Sequence, residues 1–264
     1  MVRGAWGARP DRPGGLACGA VRVTVVVPTY DEAANIVELL TRLRRAAPDA
    51  AVLVVDDGSP DGTADLVDEV APRLGGTINV LRRTAKEGLG AAYRAGFDEA
   101  LRQGAAVCVQ MDADLSHDPD DLPALLSAVE HGADASIGSR YVPGGVITQW
   151  PALRRWLSRW GNRYAAGMLG LAVNDATSGY RAYRSDALER MLFREVSADG
   201  YGFQVEMTHR LVRSGGRVVE IPITFRDRTQ GESKLSYRII GEAFRLVMRL
   251  AWRDLGLRLR PRRS

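Results

Sequence analysis

Two carboxylates separated by one residue, Asp112 and Asp114, directly follow an apolar run that starts at Val107. Residues i and i+2 of an extended chain point to the same side, so both carboxylates can face one point beyond the end of a strand. Paired carboxylates at an open edge suit Mg²⁺ or Mn²⁺, which complete their coordination shell with water and substrate phosphates. The pattern predicts a metal site and a phosphorylated substrate, although an Asp-x-Asp triplet by itself also fits a solvated loop.

Polar residues also follow two earlier apolar runs. The first run, near 22–28, is stopped by Pro28, and the second, near 51–56, passes into a glycine-rich turn. Ligands of open α/β sheets bind beyond the carboxyl ends of the strands, and adjacent acids beside a buried strand are costly without a partner. We therefore expect one site at this edge, formed by Tyr30, Asp31, Glu32, Asp56, Asp57, Asp112 and Asp114.

Strand and helix patterns alternate along the first half of the chain. Apolar, often β-branched runs predict strands near 22–28, 51–56, 77–82, 105–112 and 133–138. Amphipathic segments predict helices near 33–46, 63–73, 88–103 and 119–131. Such alternation is typical of an α/β fold with a mostly parallel, Rossmann-like sheet and helices on both faces.

The alternation ends after residue 139. A Gly/Pro-rich turn at 141–145 leads to a basic helix from Trp150 to about Leu169. The segments that follow are a polar loop at 174–181, helices at 185–192 and 203–214, a strand at 217–225, a loop at 226–236 and a helix at 237–257. The expected organisation is a disordered leader at 1–20, one domain at 21–236, and an amphipathic helix with a basic tail at 237–264.

The terminal helix has apolar residues on one face and arginines over much of the rest. The apolar face is formed by Ile239, Ile240, Ala243, Phe244, Val247, Leu250 and Ala251. A basic amphipathic helix of this kind can lie on a membrane surface. It can equally pack on the domain through its apolar face, and the sequence leaves both alternatives open.

The composition argues against two classes of protein. No apolar stretch reaches the roughly 18 residues of a membrane span, and the acidic edge of the predicted sheet would repel a nucleic-acid backbone despite the net charge of +4. Nearly all cations are arginines, since Lys86 and Lys234 are the only lysines. Cys18 lies in a Gly-rich leader and Cys108 in an apolar strand, so we expect no disulfide between them, which fits a reducing cytoplasm.

Several motifs together resemble those of polyprenol-phosphate mannose synthases, also called dolichol-phosphate mannose synthases, over about residues 21–240. Segments similar to the nucleotide-sugar half of inverting GT-A glycosyltransferases are Val26–Asn35, Val55–Thr63 and Met111–His117. Segments that resemble the narrower family are Gly138–Tyr141, Arg154–Ser158, Asp175–Arg181, Tyr201–Glu206 and Asp227–Leu235. Asp31 and Ser116 depart from the residues that are usual at these two positions of the family.

The resemblance implies an inverting transfer of mannose from GDP-mannose to the phosphate of a membrane polyprenol, giving polyprenyl-phosphate mannose and GDP. It implies a GT-A fold, with Mg²⁺ or Mn²⁺ at Asp112 and Asp114. It also implies an enzyme on the cytoplasmic face of the membrane, held by the membrane surface or by a membrane-anchored partner protein. Transfer of glucose from UDP-glucose to the same type of acceptor is the alternative.

The resemblance further implies a nucleotide pocket next to the metal. Its lining is expected to be Pro28, Tyr30, Glu32, Asp57 or Asp61, Lys86 and Gly88. For Arg83, Lys86 and the glycines after them, a solvated connection between strand and helix is equally open. We expect Gln204 and Glu206 on the first turn of a helix, where the dipole and amides favour anions.

The acceptor phosphate is largely a dianion at neutral pH, so it needs positioning rather than a strong base. Guanidinium groups match phosphate oxygens well, and the resemblance implies Arg140 and Arg154 here, with Ser158 as a lesser contact. Arg228 and Lys234 would close over the diphosphate.

Two further expectations concern the surroundings of the site. Asp175, Ser178, Gly179 and Arg181 form a polar loop with small residues, which lets a sugar approach the backbone closely. His117, beside Asp114, is expected to be exposed to solvent, because a magnesium ion held by carboxylates does not need an imidazole.

Overall fold

The computed structural model describes residues 22–227 and 237–259. The strands are β1 (Val23–Thr29), β2 (Ala51–Asp56), β3 (Ile78–Arg82), β4 (Val107–Gln110), β5 (Ala135–Ser139), β6 (Val146–Ile147), β7 (Arg181–Arg184), β8 (Val218–Pro222) and β9 (Thr224–Phe225). The helices are α1 (Ala33–Ala46), α2 (Thr63–Leu74), α3 (Leu89–Arg102), α4 (Leu122–Glu130), α5 (Ala152–Leu169), α6 (Ser185–Arg190), α7 (Gly200–Arg213) and α8 (Tyr237–Leu259), with 3₁₀ turns at Pro119–Asp121 and Phe193–Glu195.

Seven strands form one sheet in the order β3-β2-β1-β4-β7-β5-β8. Strand β7 runs antiparallel to both of its neighbours, whereas the other neighbouring pairs are parallel. Strands β6 and β9 form a separate parallel pair. The mostly parallel α/β fold predicted from the sequence is therefore confirmed.

Strand β1 separates two apolar layers. Val25 and Val27 pack with Ile36 of α1 on one face of the sheet, and Val26 packs with Phe97 of α3 on the other. Burial of each side chain of this size contributes roughly 1.5–3 kcal/mol. Because helices cover both faces of the sheet, a polar ligand is expected to bind at the carboxyl ends of its strands.

Helix α8 packs on the domain. Its Val247 and Leu250 lie in one apolar cluster with Ala165 and Leu169 of α5 and Val205 of α7. Of the two alternatives that the sequence left open, packing on the domain is observed for the inner face of this helix. Within the described ranges, the structure has no helix that is both long and apolar enough to cross a membrane.

The predicted polar loop at 174–181 runs directly into a strand that sequence reasoning missed. Strand β7 reads Arg-Ala-Tyr-Arg and contains no apolar run that would indicate a strand. Its Arg181 is fully buried, and the guanidinium donates to the carbonyl oxygens of Ala176, Ser178 and Gln204. These hydrogen bonds replace the hydration of the buried charge.

Two predicted strands have different ends in the structure. The strand expected at 105–112 ends at Gln110, so Asp112 and Asp114 lie in the loop that follows it. The strand expected at 217–225 divides into β8 and β9, which belong to different sheets. The division comes at Ile223, whose N–H donates to Ser139 of β5 while its carbonyl accepts from Val146 of β6.

Candidate active site

A cavity of about 780 Å³ opens at the carboxyl ends of β1, β2 and β4. It brings together most of the residues that the sequence predicted for the site. The predicted residues that line it are Pro28, Tyr30, Glu32, Asp57, Lys86, Gly88, Asp112, Asp114, Arg140, Arg154 and Gln204. Asp61 and Glu206 are not among the lining residues, and Arg228 and Lys234 lie outside the described part of the chain.

The two acids after β4 lie on the cavity wall. The hydroxyl of Tyr93 donates to Asp112 Oδ1 over 2.8 Å, and the backbone N–H of Ser116 donates to Asp114 Oδ1 over 3.1 Å. A Cβ added at Gly179 would lie 3.1 Å from Asp112 Oδ2. A glycine there keeps the approach to this carboxylate open.

The chemistry of these two acids fits a hard divalent cation. Within the described residues, no three side chains of His, Cys, Asp or Glu come together as a metal-binding group. Mg²⁺ is commonly held by one or two carboxylates and keeps its other positions for water and substrate phosphates. The pair at 112 and 114 therefore suits an ion that is shared with a bound substrate.

Asp57 and Lys86 lie at the end of the cavity formed by β1 and β2. Arg83 Nη1 lies 2.6 Å from Asp57 Oδ1. Burial raises the pKa of Asp57 even though Arg83 acts to lower it. Lys86 Nζ lies 3.5 Å above the centroid of the Tyr30 ring. Lys86 and Tyr30, which were both predicted for the nucleotide pocket, are therefore in contact with each other.

Asp61 is exposed and fixes the starts of two helices instead of lining the cavity. Its carboxylate accepts from the backbone N–H of Ala33 (2.9 Å) at the start of α1 and from that of Thr63 (3.0 Å) at the start of α2. Burial acts to raise the pKa of Asp61, but the hydrogen bonds from Thr63 and Ala33 prevail and lower it. Asp61 thus accepts from the first backbone N–H group of α1 and of α2.

Glu206 and Gln204 lie one turn later than predicted, because α7 begins at Gly200 and not at 203. Glu206 is buried and accepts from the backbone N–H groups of Ser197 (3.3 Å) and Ala198 (3.1 Å). It also pairs with Arg210 over 3.0 Å. Glu206 thus fixes the loop at 197–198 that lines the cavity, whereas Gln204 lines the cavity itself.

Arg140 lies at the end of the cavity away from the nucleotide-pocket residues. Its Nε and Nη2 each lie 2.7 Å from an oxygen of Asp175, and Nη2 also donates to Thr177 Oγ1. Both members of this pair are buried. Burial acts against both charges, but their mutual attraction prevails: the pKa of Arg140 is raised and that of Asp175 is lowered.

Arg154 projects from the first turn of α5 into the same end of the cavity. Its Nη1 lies 3.0 Å from Asp227 Oδ2, and its Cζ lies 4.0 Å from the centroid of the Trp150 ring. Ser158, one turn later, accepts from the hydroxyl of Tyr141 over 2.7 Å. The predicted acceptor arginines are therefore neighbours in space.

The prediction that His117 is exposed is wrong, since 2% of its surface is accessible. Leu115 has a φ of 59°, a left-handed turn that redirects the chain after Asp114, and His117 then bridges Phe225 of β9. Its ring stacks on Tyr180 with 5.2 Å between the centroids. Burial lowers its pKa, although the carboxylates of Asp112 and Asp114 act to raise it.

Sequence reasoning also missed three residues on the cavity wall or beside it. Tyr93 bonds to Asp112, Asp199 accepts from the backbone N–H of Gly90 over 2.7 Å, and Trp150 contacts Arg154. Asp199 and Trp150 line the cavity. A polar residue directly before α7 would be expected to cap that helix, but the Asp199 side chain makes no such cap and bonds to the start of α3 instead, so the local sequence carries no signal for this contact.

Comparison with known proteins places the chain among glycosyltransferases. Residues 24–192 match the family described as Glycosyl transferase family 2. The chain is 50% identical over 222 residues to the polyprenol monophosphomannose synthase of Mycolicibacterium smegmatis, covering 84% of each chain. It is 51% identical over 242 residues to the undecaprenyl-phosphate mannosyltransferase of Micrococcus luteus, covering 91% of this chain and 99% of that one.

Solved structures share the fold at low sequence identity. Mannosyl-3-phosphoglycerate synthase from Rubrobacter xylanophilus superimposes with a TM-score of 0.63 at 17% identity, covering 92% of this chain and 77% of that one. Glucosyl-3-phosphoglycerate synthase from Mycobacterium tuberculosis, in complex with Mn²⁺, UDP-glucose and phosphoglyceric acid, has a TM-score of 0.60 at 16% identity, covering 90% and 80%. The chain belongs to glycosyl transferase family 2, has the GT-A fold, and falls with the polyprenol-phosphate mannose synthases of that family.

Proposed function

We propose that this enzyme transfers mannose from GDP-mannose to the phosphate of a polyprenyl phosphate, with inversion at the sugar carbon. Two relatives at about half identity are named for mannosyl transfer to a polyprenol or undecaprenyl phosphate. The observation that carries the proposal is the cavity itself. It has an acid pair, Asp112 and Asp114, on one wall and two arginines, Arg140 and Arg154, at one end.

In this proposal Asp112 and Asp114 are the residues that would hold Mg²⁺ or Mn²⁺. The ion would act as a Lewis acid that neutralises the charge developing on the leaving GDP. The support is the oxygen-donor chemistry of the acid pair and the metal-containing structure of the same fold. Pro28, Tyr30 and Glu32 would line the nucleoside pocket. Asp57 and Lys86 would contact the donor at the end of the cavity that is formed by β1 and β2.

Arg140 and Arg154 would hold the acceptor. Arg140 uses Nε and Nη2 to bind Asp175, and its Nη1 has no partner within residues 22–227 and 237–259, so it is available to a phosphate oxygen. An oxygen of the phosphate dianion would attack C1 of mannose as the bond from C1 to the GDP oxygen breaks. No proton has to be removed, so the site needs positioning and charge rather than a base.

The remaining predicted residues have supporting roles in the proposal. Gln204 would contact donor or sugar from the cavity wall, while Asp61 and Glu206 would act indirectly by fixing loops. Arg228 and Lys234 stay predictions for closure over the diphosphate, since the described residues end at 227 before this segment and resume at 237.

The outer face of α5 supports a peripheral position on the membrane. Leu153, Trp156 and Trp160 are exposed, and Arg155 and Arg159 are exposed beside them. Exposed tryptophans next to arginines suit the headgroup region of an anionic bilayer. Since α5 also carries Arg154, a protein lying on this face would bring its acceptor site close to the lipid phosphates.

The experiment is a product assay with competing donors. Purified protein is incubated with a short-chain polyprenyl phosphate, Mn²⁺ and an equal mixture of GDP-mannose and isotopically labelled UDP-glucose. We expect mass spectrometry to show polyprenyl-phosphate mannose as the main glycolipid. A labelled glucosyl product in its place would favour the UDP-glucose alternative, and the absence of any glycolipid from folded protein would contradict the proposed function.

A further inference from the structure

Trp150 is buried next to charged groups, unlike two other tryptophans nearby in the chain. It is 8% exposed, whereas Trp156 and Trp160 on α5 are 61% and 52% exposed. The α5 pair faces outwards, and Trp150 lines the cavity. A large ring placed at the arginine end of a polar cavity requires an explanation other than membrane contact.

The contacts of the ring are with the two acceptor arginines. The Cζ atom of Arg154 lies 4.0 Å from the Trp150 centroid and that of Arg140 lies 5.6 Å from it. Guanidinium groups within about 6 Å of an aromatic centroid are attracted by the ring quadrupole. Trp150 is thus the ring that contacts both guanidiniums, and Phe225, 5.4 Å from it, supports its edge.

Hydrogen bonding does not account for the position of Trp150. Its indole Nε1 is buried and has no hydrogen-bond partner among the described residues. Buried tryptophans usually find a partner for this N–H group. The ring is therefore held by its faces and edges, which are the parts that meet the arginines and Phe225.

The backbone is shaped to direct Trp150 inwards. The residue before it, Gln149, has a φ of 66°. This is a left-handed backbone conformation that residues other than glycine, asparagine and aspartate rarely adopt. The backbone N–H of Thr148 donates to the carbonyl of Phe225 over 2.9 Å, which fastens this segment to β9. Pro151 then begins α5 as its N-cap residue.

We propose that Trp150 is a positioning residue for the acceptor phosphate. It fixes the spacing of Arg140 and Arg154, so that the N–H groups of both guanidiniums meet one phosphate. Asp175 holds one edge of Arg140 and Asp227 holds Arg154, and the Trp150 ring, which contacts both guanidiniums, removes the remaining freedom. This inference rests on the proposed function, because it assigns the two arginines to the acceptor.

The test compares Trp150→Leu with Trp150→Phe, using a water-soluble short-chain polyprenyl phosphate. Loss of the ring in Trp150→Leu is expected to raise the KM for the acceptor about tenfold, while the KM for GDP-mannose stays within about twofold. Trp150→Phe keeps an aromatic face without the N–H and is expected to recover most of the acceptor affinity. Trp252→Leu, an exposed tryptophan on α8, is the matched control and should leave both constants unchanged.

Calorimetric titration of the acceptor, without donor, separates failure of this inference from failure of the proposed function. If the wild-type protein binds the acceptor and Trp150→Leu binds it equally well, the positioning role is overturned. Equal losses for acceptor and donor, or a failure of Trp150→Phe to recover binding, would also overturn it. If Trp150→Leu does not fold, Trp150→Met serves for the same comparison. A wild-type protein that binds no polyprenyl phosphate would instead refute the proposed function.

Discussion

Asp56 and Asp57 are neighbours in the chain, yet their carboxylates have different surroundings. Asp56 accepts from the hydroxyl of Thr29 and from the backbone N–H of Ser59, each over 2.9 Å, so it stabilises the turn after β2. Asp57 lines the cavity and pairs with Arg83. A run of acids in one motif therefore contains both a turn-forming residue and a candidate ligand contact.

The residue that should matter most for turnover is Asp112. Asp112→Asn keeps an oxygen for the Tyr93 hydroxyl but removes the charge that would hold the ion. We expect transfer to fall about a hundredfold or more, since electrostatic groups of this kind contribute about 10²–10³ in rate. Mn²⁺ binding in the presence of GDP should weaken in parallel, as measured by calorimetry.

Asp120→Asn is the control for this variant, because Asp120 is an exposed acid a few residues along the same loop. Asp120→Asn should leave the rate of transfer and Mn²⁺ binding unchanged. Wild type, Asp112→Asn and Asp120→Asn should melt at similar temperatures. Normal turnover by a folded Asp112→Asn protein would refute the metal role of this position.

The placement of a side chain at the cavity was predictable from sequence where the residue directly follows a clear strand, as at Asp57, Asp112 and Asp114. They were not predictable where a long-range contact decides. His117 is buried because a left-handed Leu115 turns it towards β9, and Glu206 is taken by the loop at 197–198. Phe225, which pairs with His117, is distant in the chain, and the loop at 197–198 that Glu206 holds has no regular pattern, so local patterns carry no signal for these contacts.

At the scale of elements, helix α8 is fastened to α7 by a polar contact as well as by its apolar face. Asp254 of α8 lies 2.9 Å from His209 Nε2 and also pairs with Arg213, both of α7. Burial acts to raise the pKa of Asp254, but His209 and Arg213 prevail and lower it. The carboxylate is thus more stable as an anion in the folded protein than in the unfolded chain.

Asp254→Asn should therefore lower the free energy of unfolding by about 1–3 kcal/mol at neutral pH. A carboxylate with a lowered folded-state pKa stabilises the fold above its unfolded pKa and loses this effect as the pH falls through the folded value. The difference between wild type and variant should consequently shrink below about pH 3.8. Urea unfolding at several pH values measures it, and a difference independent of pH would contradict the assignment.

Helices and strands with a regular apolar pattern were predicted well. Strands whose position is decided by the strands that they pair with were not. Helix α1 begins and ends at the predicted residues, 33 and 46, because its apolar face is regular. Strand β7 was missed since its buried Arg181 is satisfied by carbonyls of other segments. The division between β8 and β9 depends on which partner strand each finds, and that information is not local.

At the scale of the whole molecule, α5 connects the cavity to the protein surface. Its inner side carries Arg154 and Ser158, and its outer side exposes Trp156 and Trp160. The helix contains no acidic residue. A surface of this kind, within two helical turns of Arg154, is where we propose that the membrane lies.

Vesicles containing anionic lipid should therefore bind the protein, and added salt should weaken the binding because it screens the arginines. Replacing Trp156 and Trp160 together by serine should weaken it about tenfold or more, since two large apolar side chains are removed from the interface. Leu192→Ser, which removes an exposed apolar side chain that is on neither α5 nor α8, is the matched control in vesicle sedimentation. Undiminished binding by the double variant would show that another surface meets the membrane.

A crystal structure with GDP, Mn²⁺ and a short-chain polyprenyl phosphate would show the donor and acceptor ends of the cavity at once. We expect an anomalous Mn²⁺ peak between the diphosphate and the carboxylates of Asp112 and Asp114, with the acceptor phosphate on Arg140 and Arg154. A structure that holds GDP with the ion away from these acids, or the phosphate away from these arginines, would contradict this expectation.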